Sequence, residues 1–132
     1  MSTLRVTTVT NPSGGQPTIA GLAKAWVNFN GTGTPAIRAS LNVSSITDNG
    51  VGDYTVNFTN ALEDANYAVV GIGRRNGGAS NSGYGPVVSI SGANDPTTTT
   101  LRLWTVDVQA SSSAASIVVV SDLLSVNVAI FD

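Results

Sequence analysis

The side chains that most often carry enzyme chemistry are missing from this chain. Its 132 residues include no histidine and no cysteine. That excludes serine–histidine and cysteine–histidine nucleophile systems, imidazole-ligated zinc, disulfides and imidazole pH switches. Eight acids remain as chemical material. Asp48 and Asp53 bracket Asn49-Gly50-Val51-Gly52, but a calcium loop needs further oxygen ligands at alternate positions and a closing bidentate glutamate. Asn49-Gly50 between alternating runs is instead a hairpin signal. Glu63 and Asp64 are neighbours, whereas a glycosidase pair must face each other across a cleft of roughly 5–9.5 Å. They read as a solvated turn. No enzymatic activity, cofactor or metal is expected.

Binding equipment is more plausible than catalysis. The stretch 76–85, NGGASNSGYG, is the longest turn-rich loop and presents Asn76, Asn81 and Tyr84. It lacks the lysine and following helix of a phosphate-cradling loop. It reads either as a plain surface loop or as a contact for a sugar or a protein, since aromatic faces and amides suit both. Trp26 and Trp104 sit opposite the main apolar rows of their segments. Each is either a packing contact between sheets or subunits or a stacking platform for glycan.

These residues need a scaffold, and the sequence specifies strands. Alternating runs fall at 23–29, 37–43, 54–59, 67–74, 87–91, 99–109, 116–121 and 125–131, separated by Gly, Asn, Asp and Pro. Ala25, Val27 and Phe29 share one side of the first run, and Ile37, Ala39, Leu41 and Val43 one side of the second. Tyr54, Val56 and Phe58, and later Val126, Val128 and Ile130, do the same. Half-apolar strands of this kind belong to antiparallel sheets with one covered face. The run SIVVV, 116–120, is apolar on both faces and predicts a central or intersubunit strand. No long segment carries a helical period with caps. The expected fold is all-β, an antiparallel β-sandwich or jelly-roll-like domain over residues 21–132. Residues 1–20 are expected to form an N-terminal strand arm, with Leu4, Val6 and Val9, and a turn-rich linker; an edge strand of the main domain is the alternative.

Composition supports one such domain. Apolar residues make up 42% and charged residues only 11%, against about 25% in an ordinary globular chain. A surface poor in charge can be covered by neighbours without burying ions, which favours an oligomer. The six bases (Arg5, Lys24, Arg38, Arg74, Arg75, Arg102) are scattered and the net charge is −2, so no nucleic-acid footprint is present. No apolar run approaches a membrane span, and the N-terminus shows no signal-peptide core. Synthesis in a cytosol is expected.

The runs AKAWVNFNGTGT (23–34), IRASLNVSSITDNGVGDYTVNFT (37–59) and ANYAVVG (65–71) together resemble a module that recurs in bacteriophage tail fibres and related virion surface proteins, usually as the distal C-terminal domain. The resemblance implies a homotrimeric, non-enzymatic virion structural protein on the particle surface, assembled in the bacterial host cytoplasm. It would contact other virion proteins, of tail or capsid, and in a tip role a host surface glycan. Two other roles stand beside the fibre module. One is a capsid decoration protein clamping the head through its N-terminal arm. The other is a soluble carbohydrate-binding module.

Overall fold

A side-chain period of two places alternate residues on opposite faces of a strand, and the chain folds on that rule throughout. The computed structural model describes residues 2, 10, 12, 13, 21–75, 85–110 and 116–131. The arm residues Leu4, Val6 and Val9 and the loop residues Asn76, Asn81 and Tyr84 lie outside the described residues. The strands are β1 (Ala25–Asn30), β2 (Ala36–Leu41), β3 (Val43–Gly50), β4 (Asp53–Phe58), β5 (Ala68–Arg74), β6 (Pro86–Ile90), β7 (Thr100–Ala110), β8 (Ser116–Val120) and β9 (Ser125–Phe131). No helix occurs among the described residues.

The strands form two antiparallel sheets. Sheet A has the order β2-β1-β9-β5, and sheet B the order β3-β4-β7-β6, with β8 paired to β7. β7 is long enough to hold two partners on one edge. Its first half pairs with β4, Trp104 opposite Asp53, and its second half with β8, Val106 opposite Val120. Thr105 marks the changeover: its N–H donates to Gly52 O, and its hydroxyl donates to Ser121 O at 2.6 Å.

Both sheets contribute to one apolar core. Sheet A supplies Ala25, Val27, Phe29, Val126, Val128 and Ile130; sheet B supplies Tyr54, Val56, Leu101 and Leu103. Phe29 and Tyr54 meet edge-to-face, with ring centroids 5.2 Å apart, a favoured aromatic geometry. The Tyr54 hydroxyl lies 2.9 Å from Gly31 O and 2.6 Å from Asp122 Oδ1 and donates its one proton within that pair. Burial first, and the Asp122 carboxylate second, push the Tyr54 phenol well above its ordinary range.

Among the described residues nine strands form where the alternation marks eight. The extra one is β3, in which Val43 is buried and Ile46 packs partly against the core while the rest is exposed. Its apolar signal is weak, and its ladder to β4 holds it in place. β2 and β3 are separated by Asn42, which adopts φ 54°, a left-handed conformation that asparagine tolerates. Its side chain accepts from Asn60 N and donates to Asn60 O, fixing the switch between sheets.

The hairpin that follows turns later than Asn49-Gly50 suggests. Gly50 still pairs with Asp53, so the loop is Val51-Gly52, with a register shift between Asp48 and Gly50. Gly52 has φ +64°, and a Cβ there would lie 2.5 Å from Thr105 O. Only glycine fits this buried turn.

A second departure lies in β2. Asn28 pairs with Ala39, but Phe29 pairs with Ile37, leaving Arg38 as the extra residue of a bulge. Simple alternation would put Ile37, Ala39 and Leu41 on one face. The bulge instead packs Ile37 against the core and pairs Ala39 and Leu41 with the outward-facing Asn28 and Trp26.

Candidate functional site

Five of the eight acids are occupied in ways that organise turns and strands. Asp48 accepts from Gly50 N, Asp64 from Asn66 N, and Asp122 from both Gly52 N and the Tyr54 hydroxyl. Asp53 receives Arg102 through two bonds of 2.8 and 2.7 Å, and that guanidinium holds its carboxyl below the ordinary value of 3.8. Asp107 is buried and paired with Arg75 at 2.6 Å. Among the described residues no three acids gather into a metal-sized cluster.

Among the described residues, the outward faces of the two sheets offer features for recognition. Trp26 and Trp104 are 37% and 40% exposed. They stand on different sheets, so they form no common platform.

On sheet A, the register aligns Trp26, Ala129 and Val70 in one row across β1, β9 and β5. The next row is Ala39, Asn28, Asn127 and Ile72. Val70 and Ile72 are largely exposed, and with Trp26 they border a hollow of about 460 Å³. Within the second row Asn28 Nδ2 donates to Asn127 Oδ1 at 2.6 Å, and Asn127 Nδ2 donates to Ser125 Oγ. Arg38 donates to Asn28 Oδ1, Phe29 O and Leu124 O. Arg38 and Arg74 line an adjoining hollow of about 530 Å³ that shares Asn28, Ile72 and Asn127 with the first.

Sheet B presents a different surface. Its outward rows are Ser89, Trp104 and Asp53, then Val87, Val106 and Val120, then Val108 and Val118. Val87, Val118 and Val120 are strongly exposed. The inward side of the same stretch of β7 carries Thr105 and Asp107, both buried. In the first half of β7 the ordinary pattern holds, with Leu101 and Leu103 inside and Arg102 outside. In the second half it inverts: the polar groups face in and the valines face out.

Comparison with protein-family models, with curated proteins and with solved structures returns no match. Sequence reasoning singled out the two tryptophans but missed Asn28, Arg38, Arg74 and Asn127, which the folded sheet gathers. One signal was available: the four strands of sheet A contain two arginines and not a single acid.

Proposed function

We propose that this chain is a non-enzymatic structural module of a bacteriophage particle surface, a small homotrimeric tail-fibre or fibre-tip domain with a jelly-roll-like β-sandwich. The observation that carries the self-assembly part of this reading is the inversion along β7. A strand that turns its polar residues inward and displays Val106, Val108 and Trp104 outward, flanked by Val87, Val118 and Val120, leaves an apolar face that water penalises. Covering it with a neighbouring copy removes that penalty. Sheet B's outward charges at this site, Asp53 and Arg102, already neutralise each other, so the cover meets no isolated ion.

The jelly-roll-like form is favoured by how often the chain changes sheet. It crosses between β2 and β3, β4 and β5, β5 and β6, and β8 and β9. The trimeric count and the virion setting draw on the resemblance, whose runs span β1 to β4 and the start of β5. That stretch is scaffold. The face nominated for assembly comes mainly from β6, β7 and β8, outside the resembling stretch.

Sedimentation velocity at micromolar concentration tests the assembly. A trimer is expected; a stable folded monomer would remove the proposal. Copy number per particle then separates the roles. A few to tens of copies fit a fibre, whereas hundreds would move the protein to the head as a decoration protein.

A further inference from the structure

We infer that the outward face of sheet A is a binding site for an acidic oligosaccharide, with Trp26 at its apolar end and Arg74 and Arg38 at its carboxylate-binding end. The inference specifies the receptor chemistry of the fibre-tip reading and rests on that reading for its biological meaning. Its physical basis is the face itself.

Three properties of this surface converge. The first is charge. β1, β2, β5 and β9 together contain Arg38 and Arg74 and no aspartate or glutamate. The ion pairs among the described residues are Arg75–Asp107 and Arg102–Asp53, so neither sheet A arginine is neutralised by a carboxylate. Both line the same hollow. A planar guanidinium with parallel donors matches a carboxylate, and two of them over one hollow select an anionic group.

The second property is the amide pair between the two ends. Asn28 and Asn127 are fixed by their mutual hydrogen bond and by Ser125 and Arg38. Each amide nitrogen carries two hydrogens and each amide oxygen two lone pairs, so the network keeps capacity for hydroxyl groups. Because the amides are already oriented, little side-chain entropy is lost when a ligand arrives.

The third is the apolar floor of Trp26, Val70, Ala129 and Ile72. An indole face accepts the C–H face of a pyranose ring, burying apolar area without demanding a hydrogen bond. Trp26 and Arg74 lie on strands separated by β9, and four residues apart in register. Strand geometry puts their Cα atoms about 16 Å apart. That span suits an oligosaccharide rather than a single sugar. The two hollows fall within the roughly 300–1,000 Å³ range of ligand sites.

A second copy of this chain is a poorer occupant. A two-fold contact through this face would bury four arginines, Arg38 and Arg74 from each copy, with no acid from the strands of either sheet A to pair with them, and uncompensated like charge at an interface is costly.

The test uses the full chain in its native oligomeric state. Sialyllactose and tri-galacturonate are the acidic probes; lactose and the galacturonate methyl ester are the neutral controls. A Trp104→Phe background leaves Trp26 as the only tryptophan reporter, because the chain has two. The acidic probes are expected to change Trp26 fluorescence saturably, with affinity falling as salt rises. Arg74→Gln should weaken binding about tenfold, the loss expected for a charge-assisted bond, and Trp26→Ala, which removes the reporter and is therefore read by titration calorimetry with Trp104 intact, should abolish it. Circular dichroism and sedimentation on each variant establish that fold and assembly persist. Equal response to acidic and neutral probes, or no response from an intact oligomer at millimolar sugar, overturns the inference while leaving the structural-module reading standing. Acidic-sugar binding by a chain that sediments as a monomer supports the site and removes the trimer.

Discussion

The outward faces of both sheets expose large apolar residues, yet they have opposite backgrounds. On sheet A the buried residues are apolar, Val27, Phe29, Val128 and Ile130 among them. Its outward side mixes Trp26, Val70 and Ile72 with amides and two unneutralised arginines. On the second half of β7 the inward side holds Thr105 and the Arg75–Asp107 pair, and the outward side is a run of valines. An exposed apolar residue says little by itself. The residue behind it on the same strand says more. Where the core side is satisfied and the outer face is chemically mixed, a small polar ligand fits. Where polar groups have been moved inward and apolar groups outward, a protein partner fits.

The largest way to break that contrast is through the buried polar side of β7. Asp107→Leu leaves the Arg75 guanidinium partly buried without its carboxylate, and removing one partner of such a pair costs about 3–5 kcal/mol. The urea midpoint should fall accordingly with an unchanged slope. The double replacement Arg75→Met with Asp107→Leu should recover most of the loss. If the single variant is as stable as the parent, the inward polar groups are incidental and the inversion loses its meaning.

A second, smaller effect tests the two faces against each other. Val118 and Val120 are exposed in the single chain, so Val118→Asp with Val120→Asp should leave the fold intact. Each side chain withdrawn from a covered interface forfeits about 1.5–3 kcal/mol, and sedimentation should show dissociation. The matched pair on sheet A, Val70→Asp with Ile72→Asp, should leave assembly unchanged and abolish acidic-sugar binding. The reverse outcome would exchange the roles of the two sheets.

The contrast also assumes that both sheets share one rigid core, which Tyr54 tests. Its hydroxyl ties β4 to Gly31 O, just past β1, and to Asp122, ahead of β9. Tyr54→Phe should cost about 1–2 kcal/mol. The pH signature has a definite sign. The folded phenol titrates above its ordinary value of 10.0, so its contribution is complete below that value and is lost as pH rises beyond it. The phenylalanine variant should lose less stability between neutral and strongly alkaline pH than the parent. Equal alkaline slopes would show that the phenol is not held as the geometry indicates.

Much of the scaffold is legible in the sequence, because a covered face imposes period-two alternation. Ala25-Val27-Phe29, Tyr54-Val56-Phe58 and Val126-Val128-Ile130 announce both strand and facing, and all are buried. Legibility fails where pairing rather than burial sets the structure. β3 buries too little to declare itself. The Arg38 bulge and the Val51-Gly52 turn depend on register with a partner strand, which no local pattern contains. The candidate sugar face is distributed over four strands, and β1 and β9 pair across about a hundred residues of chain. Trp26 could be picked out alone. Its relation to Arg74 exists only once β9 lies between β1 and β5.

The smallest effect concerns Asp53, which sheet B presents opposite Trp104. Asp53 is bound by Arg102 through two bonds, and its carboxyl is lowered below the ordinary 3.8, first by those bonds and then, against some desolvation, by the nearby positive charge. A lowered acid binds its proton less tightly in the folded state than in the unfolded one. Its contribution is therefore present above 3.8 and disappears as pH falls through the lower folded value. Arg102 is solvent-facing, and water and salt screen the pair, so the effect is small. Arg102→Gln should flatten the parent's loss of stability in that acid window and leave neutral stability almost unchanged. Among the described residues the sheet A arginines have no carboxylate partner to protonate, so Arg74→Gln should leave the same window as it was. If Arg74→Gln also flattened it, Arg74 would have a carboxylate partner, and the surplus of positive charge that distinguishes sheet A from sheet B would not exist.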